Sequence, residues 1–452
     1  MVKITTDFSG GETIATTKTR LEAILDYWLG TSSTSGVSTW GGLRTLLNSV
    51  APSVVTIADG EIASVFRPKI NSLNDPDGII SSTLFGSSEP GVWYDPSDLT
   101  TLFQDVAGTT PVTTAGQTVG LMLDKSQGLA LGAELATNGG FDTDTDWLYA
   151  AWAISGGLAV ASAVVAYSSI SLHAVPFVAG RSYVVTYTVV SADAGNVRVS
   201  FSGGVQVSGT TRTTAGTFTE ILVANTGNSQ LNIQAVNLGF TGSIDNITVK
   251  LLPGNHATQA TAAARPTYQT DGTLHWLSFD GVDDFMVTPT ITPGINKVQV
   301  FTGVRKLSDA TTGVVIELSV SSSAKNGTLA LFGPISAGIN DNFTFRSKGS
   351  IAQDAFATGN AAPSTSVITG LGNISGDSSA IRDDGVVSSI DTGDQGTGNY
   401  LAYPMYIGMR AGISLPFNGN IYGLVTRFGA NLGTTTIRRT ETYVAGKTGV
   451  TL

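Results

Sequence analysis

The feature that most constrains the fold is a two-residue alternation of apolar side chains that recurs in short segments. The clearest segments are Tyr183–Val189, Val197–Phe201 and Leu231–Ala235, in each of which every second residue is apolar. Period 2 is the signature of a β-strand with one buried face and one solvated face. The sequence places turns between such segments at Ala194–Asn196, Ser202–Gly204 and Asn225–Asn228. Short alternating strands joined by glycine-containing turns predict antiparallel β-sandwiches.

Composition further limits the class of protein to which the chain can belong. Glycine supplies 54 of 452 residues, and only 13% of the residues are charged, about half the usual level. At roughly 150 residues per domain the length predicts about three domains. Cysteine is absent, which excludes disulfide scaffolds, cysteine-based zinc sites and thiol nucleophiles. The net charge is −10 without any basic run, so we expect no nucleic-acid partner.

The same strand signals recur in the second half of the chain. The predicted strands there are His275–Phe279, Val298–Val304, Val314–Val320, Thr328–Phe332, Phe343–Arg346, Ser366–Ile368, Ser379–Arg382, Tyr406–Met409 and Ile421–Phe428. Thr434–Ala445 is predicted to form a closing helix, with Gly446 as its stop signal.

The first 88 residues have a different pattern. Thr16–Leu29 spaces its apolar residues as an amphipathic helix does, and a second short helix is predicted at Gly42–Val50. Proline and glycine punctuate Arg67–Ser88, which predicts an extended connector. The N-terminus has no apolar core, so no secretory signal is expected. The uncharged stretch Leu148–Tyr167 is interrupted by Gly156 and its neighbour, which predicts buried strands rather than a membrane span.

Two stretches resemble structural proteins of tailed bacteriophages and prophages. They read EPGVWYDPSDLTTLFQDVAGTTPVTTAGQTVGLMLDKSQ at Glu89–Gln127 and GNHATQATAAARPTYQTDGTLHWLSFDGVDDF at Gly254–Phe285. In those proteins the two stretches are nearly continuous and open a concanavalin A-like, laminin-G-like sandwich. The C-terminal strings NGNIYGLVTRFGANL at Asn418–Leu432 and VAGKTGVTL at Val444–Leu452 are similar as well.

The piece between the two stretches resembles a carbohydrate-binding-module jelly roll. It opens ELATNGGFDTDTDW at Glu134–Trp147 and closes GSIDNITVKLL at Gly242–Leu252. In such modules the first and last strands pair, so neighbouring termini can be spliced into a loop of another domain. The predicted fold is therefore mainly β, with two jelly-roll sandwiches, one inserted in the other, and a small, partly helical N-terminal segment. The predicted domains are 1–88, a lectin-like sandwich from 89–128 and 252–452, and the inserted jelly roll 129–251.

The resemblance implies a surface-appendage protein of a tailed-phage virion, such as a tail fibre or collar. Residues 1–88 would attach to other virion proteins, the chain would form a homotrimer, and host-surface glycans are the expected ligand. It would be assembled in the host cytoplasm, without membrane insertion, and exposed on the particle. A capsid decoration or head-fibre protein without a glycan ligand is the alternative, and a glycan depolymerase is a further one. Because no catalytic motif is present and His173, His256 and His275 are scattered, we predict no enzyme activity and no catalytic residues.

Three aromatic residues are the candidate sugar contacts. Trp147, Tyr149 and Trp152 cluster near the start of the inserted module, and aromatic faces bind the apolar faces of sugars. The alternative is that they belong to the core of the module, where a buried tryptophan is typical.

Acidic residues supply the candidate metal ligands. Asp142, Asp144 and Asp146 alternate, and Asp245 on the closing strand would lie nearby if the module's ends pair. Such carboxylates can converge on a structural calcium ion, although no cofactor is required; solvated loop charges are the alternative. A second group, at Asp280–Asp284, is predicted to shape a turn, with metal binding as its alternative.

Overall fold

The computed structural model describes Ile80 and residues 83–335 and 341–452. The helices predicted at Thr16–Leu29 and Gly42–Val50 and the connector up to residue 79 lie outside the described residues. The described chain is mainly β, as predicted, with several β-sheets and a helix near the C-terminus. No helix in the described part of the chain is long and apolar enough to cross a membrane.

The strands form three antiparallel sheets. Before residue 129 they are β1 (Gly91–Tyr94), β2 (Leu102–Phe103) and β3 (Leu121–Met122). Between residues 129 and 252 they are β4 (Trp147–Tyr149), β5 (Trp152–Ser155), β6 (Leu158–Val164), β7 (Ser169–Leu172), β8 (Ser182–Ser202), β9 (Val207–Ser208), β10 (Gly216–Val223) and β11 (Gln230–Leu252).

The remaining strands follow residue 252. They are β12 (Ala257–Thr258), β13 (Thr267–Thr270), β14 (His275–Asp280), β15 (Met286–Ile291), β16 (Lys297–Lys306), β17 (Val314–Leu318), β18 (Thr328–Phe332), β19 (Phe343–Lys348), β20 (Ala352–Ala357), β21 (Ser364–Asn373), β22 (Ser378–Asp383), β23 (Val386–Asp391), β24 (Tyr403–Ile407) and β25 (Asn418–Phe428). Helix α1 (Thr434–Thr448) closes the chain.

Two of the sheets pack face to face around one core. One sheet has the order β13-β14-β25-β16-β21-β22-β23, with β1 beside β25. The other has the order β2-β3-β12-β15-β24-β17-β18-β19-β20. Their shared core draws residues from β1–β3 and from the strands after residue 256. A sandwich is thus built from two stretches of chain, one ending with β3 and the other beginning with β12, and residues 123–256 lie between them.

The third sheet belongs entirely to residues 147–252. Its long strands β8 and β11 pair along almost their whole length, and β10, β6 and β5 flank one half while β9, β7 and β4 flank the other. Both halves contribute to a single core that includes Val185, Val199 and Ile233. The sheet therefore folds over on itself as a second sandwich.

Two local predictions are wrong. Ala194–Asn196 is no turn but part of continuous strand β8, because Gly195, with φ of +76°, lets the strand bend while it stays paired with β11. The closing helix does not stop at Gly446. It continues to Thr448, because Gly449 is the residue that takes the left-handed conformation, and its N–H donates to the Ala445 carbonyl.

Helix α1 covers the outer face of the first sheet. Tyr443 and Val444 pack with Trp93 and Phe301 in a separate apolar cluster. The Trp93 indole donates to the Tyr443 hydroxyl at 3.2 Å, and Lys447 forms an ion pair with the buried Asp95 at 2.8 Å. The helix is thereby fixed to the first turn of the sandwich.

A buried carboxylate joins the two chain segments of the first sandwich. Asp124 is fully buried and accepts hydrogen bonds from the Trp93 N–H at 2.8 Å, from the Ser126 N–H at 2.8 Å and from the Asn255 N–H at 2.7 Å. The Asp124 N–H in turn donates to Nδ1 of His256 at 2.9 Å. Residues on both sides of the 129–251 stretch thus share one set of hydrogen bonds.

Burial sets the protonation states in this junction. Burial raises the pKa of Asp124, and the hydrogen bonds from three backbone N–H groups and from the Ser126 hydroxyl oppose that rise. Burial also lowers the pKa of His256 from 6.5 to about 4. The unfolded chain binds a proton at His256 that the folded chain does not bind. The contribution of His256 to the free energy of unfolding therefore falls as the pH drops from 6.5 towards 4.

The ends of the 129–251 stretch lie side by side. The Gly132 N–H donates to the Leu251 carbonyl at 2.9 Å, and the Leu135 N–H donates to the Val249 carbonyl at 2.9 Å. A small apolar cluster that includes Leu121, Ile221 and Leu252 links this sandwich to the first one. Adjacent ends are what an inserted domain requires; the boundaries at 129 and 251 stay a prediction.

We expect Asp124→Ala to lower the free energy of unfolding by at least about 3 kcal/mol, because it leaves several buried N–H donors unpaired at once. Urea unfolding followed by tryptophan fluorescence measures the change. Asp193→Ala, at an exposed carboxylate, is the matched control and should stay within about 0.5 kcal/mol of the wild type. Equal stability of both variants would contradict the junction role of Asp124.

Candidate functional site

Three carboxylates converge in the turn between β14 and β15. Each of Asp280, Asp283 and Asp284 offers one oxygen, and these oxygens lie within 4.8 Å of one another. The turn itself is held by Oδ1 of Asp280, which accepts from the Val282 N–H at 2.8 Å. Gly281 makes the turn possible because its φ is +75° and a Cβ there would meet Asn418 at 2.7 Å. The turn predicted for these residues therefore also brings their carboxylates into an arrangement that suits a cation.

The electrostatics of this turn are unfavourable for three negative charges. Burial and the nearby charges of Asp280 and Asp283 together raise the pKa of Asp284 to about 7, although the Asp280 N–H opposes the rise by donating to Asp284 at 3.1 Å. A hard divalent cation with oxygen ligands would relieve this repulsion. Among the residues that the structure describes, no other group of three carboxylate or imidazole ligands converges in this way.

The acidic loop predicted to bind calcium is not brought together. Asp142, Asp144 and Asp146 are exposed and, with Asp245, form no converging ligand group within the described chain. Asp144 instead accepts a hydrogen bond from the Tyr149 hydroxyl, and Asp245 accepts from the N–H of its neighbour Asn246 at 2.6 Å. Two of the four carboxylates therefore have local partners, and the described chain does not bring the four together.

Two of the three predicted sugar-stacking aromatics are core residues. Trp147 and Trp152 are each only 4% exposed. Trp147 lies opposite Leu172 on β7 and packs on Phe141, so the strand alternation turns its indole inward. Trp152 stacks on Phe240. Their rings cannot meet a sugar in this conformation, and the core interpretation holds for both. Tyr149 is half-buried and bonded to Asp144.

The sequence reasoning missed a polar surface on the inserted sandwich. One face of β7, β11 and the second half of β8, called here the polar face, carries hydroxyl, amide and guanidinium groups. Its residues are Ser169, Ser171, Arg198, Ser200, Asn232 and Gln234. Ser169, Arg198 and Gln234 are partly exposed there, whereas Ser171, Ser200 and Asn232 are buried. The residues between them, such as Ile170, Val199 and Ile233, are fully buried on the opposite side. The alternation that predicted the strands held this signal, but only the pairing shows that the three strands are neighbours.

Arg198 and Gln234 form the centre of the polar face. The guanidinium donates to Oε1 of Gln234 through Nε at 3.2 Å and through Nη2 at 2.8 Å. Gln206 reaches over the face and donates to the same oxygen at 3.0 Å. Nearby, Asn232 donates to the Ser202 hydroxyl at 2.7 Å. The planar groups are held in fixed orientations, as recognition of a polar ligand requires.

The remaining sequence candidates do not converge. His173 is exposed, His256 belongs to the Asp124 junction and His275 bonds the Tyr268 hydroxyl at 2.6 Å. In the Asp383–Asp384 pair, Asp383 accepts from Asn360 and Asp384 accepts from the Val367 N–H, each at 2.8 Å. Both aspartates therefore serve local packing.

No family model matches the sequence, and no curated protein matches it significantly. Solved structures share parts of the fold. A native heptameric SAP-like pentraxin from Limulus polyphemus is 11% identical, with a TM-score of 0.30, over 37% of this chain and 82% of its own. The botulinum neurotoxin serotype D binding domain is 13% identical, with a TM-score of 0.30, over 41% and 48%. The CBM40 module of the Ruminococcus gnavus IT-sialidase, bound to α2,3-sialyllactose, is 10% identical, with a TM-score of 0.26, over 32% and 83%. The chain thus spans about half the toxin domain's length, and these likenesses place it in no family.

We expect Asp284→Asn to stabilise the protein at pH 8 by about 1–2 kcal/mol, because the amide keeps the hydrogen bond from the Asp280 N–H and removes a charge from the turn. The folded state binds the Asp284 proton more tightly than the unfolded state. The wild type therefore loses stability as the pH rises from 4 to 7, and the advantage of the variant should grow over that range.

Urea unfolding between pH 4 and 8 in the presence of a chelator measures this advantage. Asp193→Asn, which neutralises an exposed carboxylate elsewhere, is the control and should show no such pH dependence. An Asp284→Asn difference that is the same at pH 4 and pH 8 would refute the repulsion in the turn.

Proposed function

We propose that the protein is a surface appendage of a tailed-phage virion, a tail fibre, collar or similar structure, that binds host-surface glycans through its inserted sandwich. The observation that carries the binding role is the partly exposed centre of the polar face, where the Arg198 guanidinium and the Gln234 amide are held in fixed orientations. Sugars present many hydroxyl groups, which such planar donors and acceptors recognise in pairs. The virion role is supported by the phage-like strings at Glu89–Gln127 and Gly254–Phe285, which Asp124 joins.

The rest of the chain has a supporting role in this proposal. Residues 1–88 attach the protein to other virion proteins, and a homotrimer displays several copies of the polar face. Several weak sites on one particle bind a glycan-coated surface far more tightly than one site does. The role is binding and not catalysis, and it involves neither nucleic acid nor insertion into a membrane.

A structural calcium ion is part of the proposal, at the turn of Asp280, Asp283 and Asp284 instead of the acidic loop at Asp142–Asp146. Calcium would neutralise the carboxylates that burial and mutual repulsion disfavour. Its binding requires Asp284 to lose its proton, so affinity should fall below pH 7. Calcium should raise the melting temperature of the wild type and not that of Asp284→Asn; an equal rise in both would place the ion elsewhere.

Screening the full chain on a glycan array should give binding to a subset of host-surface glycans. Gln234→Ala should weaken that binding at least about fivefold, since it removes a partly exposed amide from the centre of the polar face. Asn246→Ala, at an exposed position on the same strand, is the matched control and should bind as the wild type does. A clean negative array favours the decoration alternative. Release of shortened product from a bound polysaccharide would establish the depolymerase alternative instead.

Removal of residues 1–79 should abolish incorporation of the protein into particles and leave glycan binding intact, because it spares Ile80, Leu84 and Phe85, which pack with Trp93 and Tyr443 in the apolar cluster beneath α1. Particles assembled in cells that express the truncated or the full chain can be purified and probed with an antibody to residues 89–452. Incorporation of the truncated chain at the full-length level would refute attachment through the N-terminal segment.

A further inference from the structure

The polar face has unused hydrogen-bond donors at its centre. Arg198 uses Nε and Nη2 on a single oxygen of Gln234. No other described residue bonds Nη1 of Arg198 or the amide nitrogen of Gln234. Two side chains that bond each other, one of them cationic, therefore each keep an N–H group without an acceptor in the described chain, and both side chains are partly exposed.

The surroundings of Arg198 are uncharged. Ser200 follows it on the same face of β8, Gln234 and Asn232 face it from β11, and Ser169 lies beyond Gln234 on β7. Within the described part of the chain no carboxylate lies within 4.0 Å of the guanidinium. In a protein with a net charge of −10, an arginine whose partner is an amide is free to pair with an anion from outside.

The shape of the site favours a carboxylate. A guanidinium presents its N–H groups in a plane that matches the two oxygens of a carboxylate, and the adjacent Gln234 amide adds a donor in the same region. The hydrogen bonds from Arg198 and Gln206 fix Gln234 in place, so little side-chain freedom is lost on binding. The Gln206 amide carbonyl is left to accept from a sugar hydroxyl.

We propose that the polar face binds an acidic oligosaccharide, with Arg198 and Gln234 holding the carboxylate of a uronic or sialic acid residue. This proposal rests on the proposed glycan-binding function and names the chemical class of the glycan. Arg198 and Gln234 are only partly exposed, so the contact with the ligand is small and the site has a weak affinity that multiple copies amplify.

Isothermal titration of the full chain with two matched sugar pairs tests the proposal. Sialyllactose is compared with lactose, and tetragalacturonate is compared with its methyl ester, which keeps the ring stereochemistry and loses the charge. At least one acid should bind about tenfold or more tightly than its neutral partner, since a charge-assisted hydrogen bond to a carboxylate is lost in the neutral sugar. Whichever acid binds identifies the source of the carboxylate, and rising salt should weaken its binding.

Two variants assign that preference to Arg198. Arg198→Gln should reduce the affinity for the acid at least about tenfold and leave the neutral sugar unaffected. Arg198→Lys keeps the charge and loses the planar donor pair, so its affinity for the acid should lie between those of the wild type and Arg198→Gln. It replaces Arg198→Gln if that variant does not fold. Arg181→Gln removes an exposed arginine of the same sandwich and should bind as the wild type does.

The outcomes separate this proposal from the proposed function. Equal affinity for acidic and neutral sugars, or acid binding that Arg198→Gln and Arg198→Lys leave unchanged, overturns the proposal while glycan binding stands. Binding of neutral glycans alone has the same consequence. If the array and all four sugars are negative, the glycan-binding function falls and the proposal falls with it.

Discussion

The first sandwich depends on a buried carboxylate that two distant chain segments share. Asp124 binds the backbone of Trp93 on one segment and of Asn255 on the other, and the aromatic ring of Tyr94 is fixed beside it by a hydrogen bond to the Asn255 carbonyl. A buried carboxylate is costly unless its oxygens are satisfied, so it fixes its donors in one arrangement. The junction therefore holds the strand ends at a constant separation, whatever lies between residues 126 and 254. This constraint explains how a complete second sandwich can interrupt the first without disturbing its core.

The sequence predicted the strands well because strand formation here follows a local pattern. Thr328–Phe332 was predicted at its observed bounds, and strands β16 and β25 were found with ends a few residues short. Strand β15 was missed because Pro289 lies within it. Strand β23 was missed because four of its six residues are exposed, so it has no buried apolar face that would appear as alternation. Those strands are defined by their neighbours in the sheet, and pairing partners far apart in sequence are invisible to a local pattern.

The candidate sites were less predictable, since a site depends on which face a residue occupies and on what lies opposite. The sequence suggested Trp147 as a sugar contact, but its strand pairs with β7, which places Trp147 opposite Leu172 and inside the core. The alternating aspartates Asp142, Asp144 and Asp146 suggested metal ligands, but Asp144 accepts a hydrogen bond from Tyr149 on the strand that follows it. The turn at Asp280–Asp284 converges because Gly281 permits a tight reversal against Asn418, a contact between strands that the order of residues does not reveal. The polar face needed three strands to be aligned before its residues became neighbours.

The register of β8 on β11 ties the core and the polar face to each other. Val189 lies opposite Ile244 and Val197 lies opposite Ala235. Between these two pairs β8 advances by eight residues, whereas β11 advances by nine. With a period of two, an odd difference would turn one strand's apolar residues to solvent. Three shifts in the pairing add up to this difference, since β11 has three extra residues between Val236 and Phe240 and β8 has one extra residue at each of the two following shifts. The first shift closes against Gly195, where any Cβ would meet the Gly239 carbonyl oxygen. The glycine that appeared to mark a turn instead allows the strand to carry Val197 into the core and Arg198 onto the polar face. Any shift that exposed the valine would bury the arginine, so packing of the core also enforces the arrangement of the face.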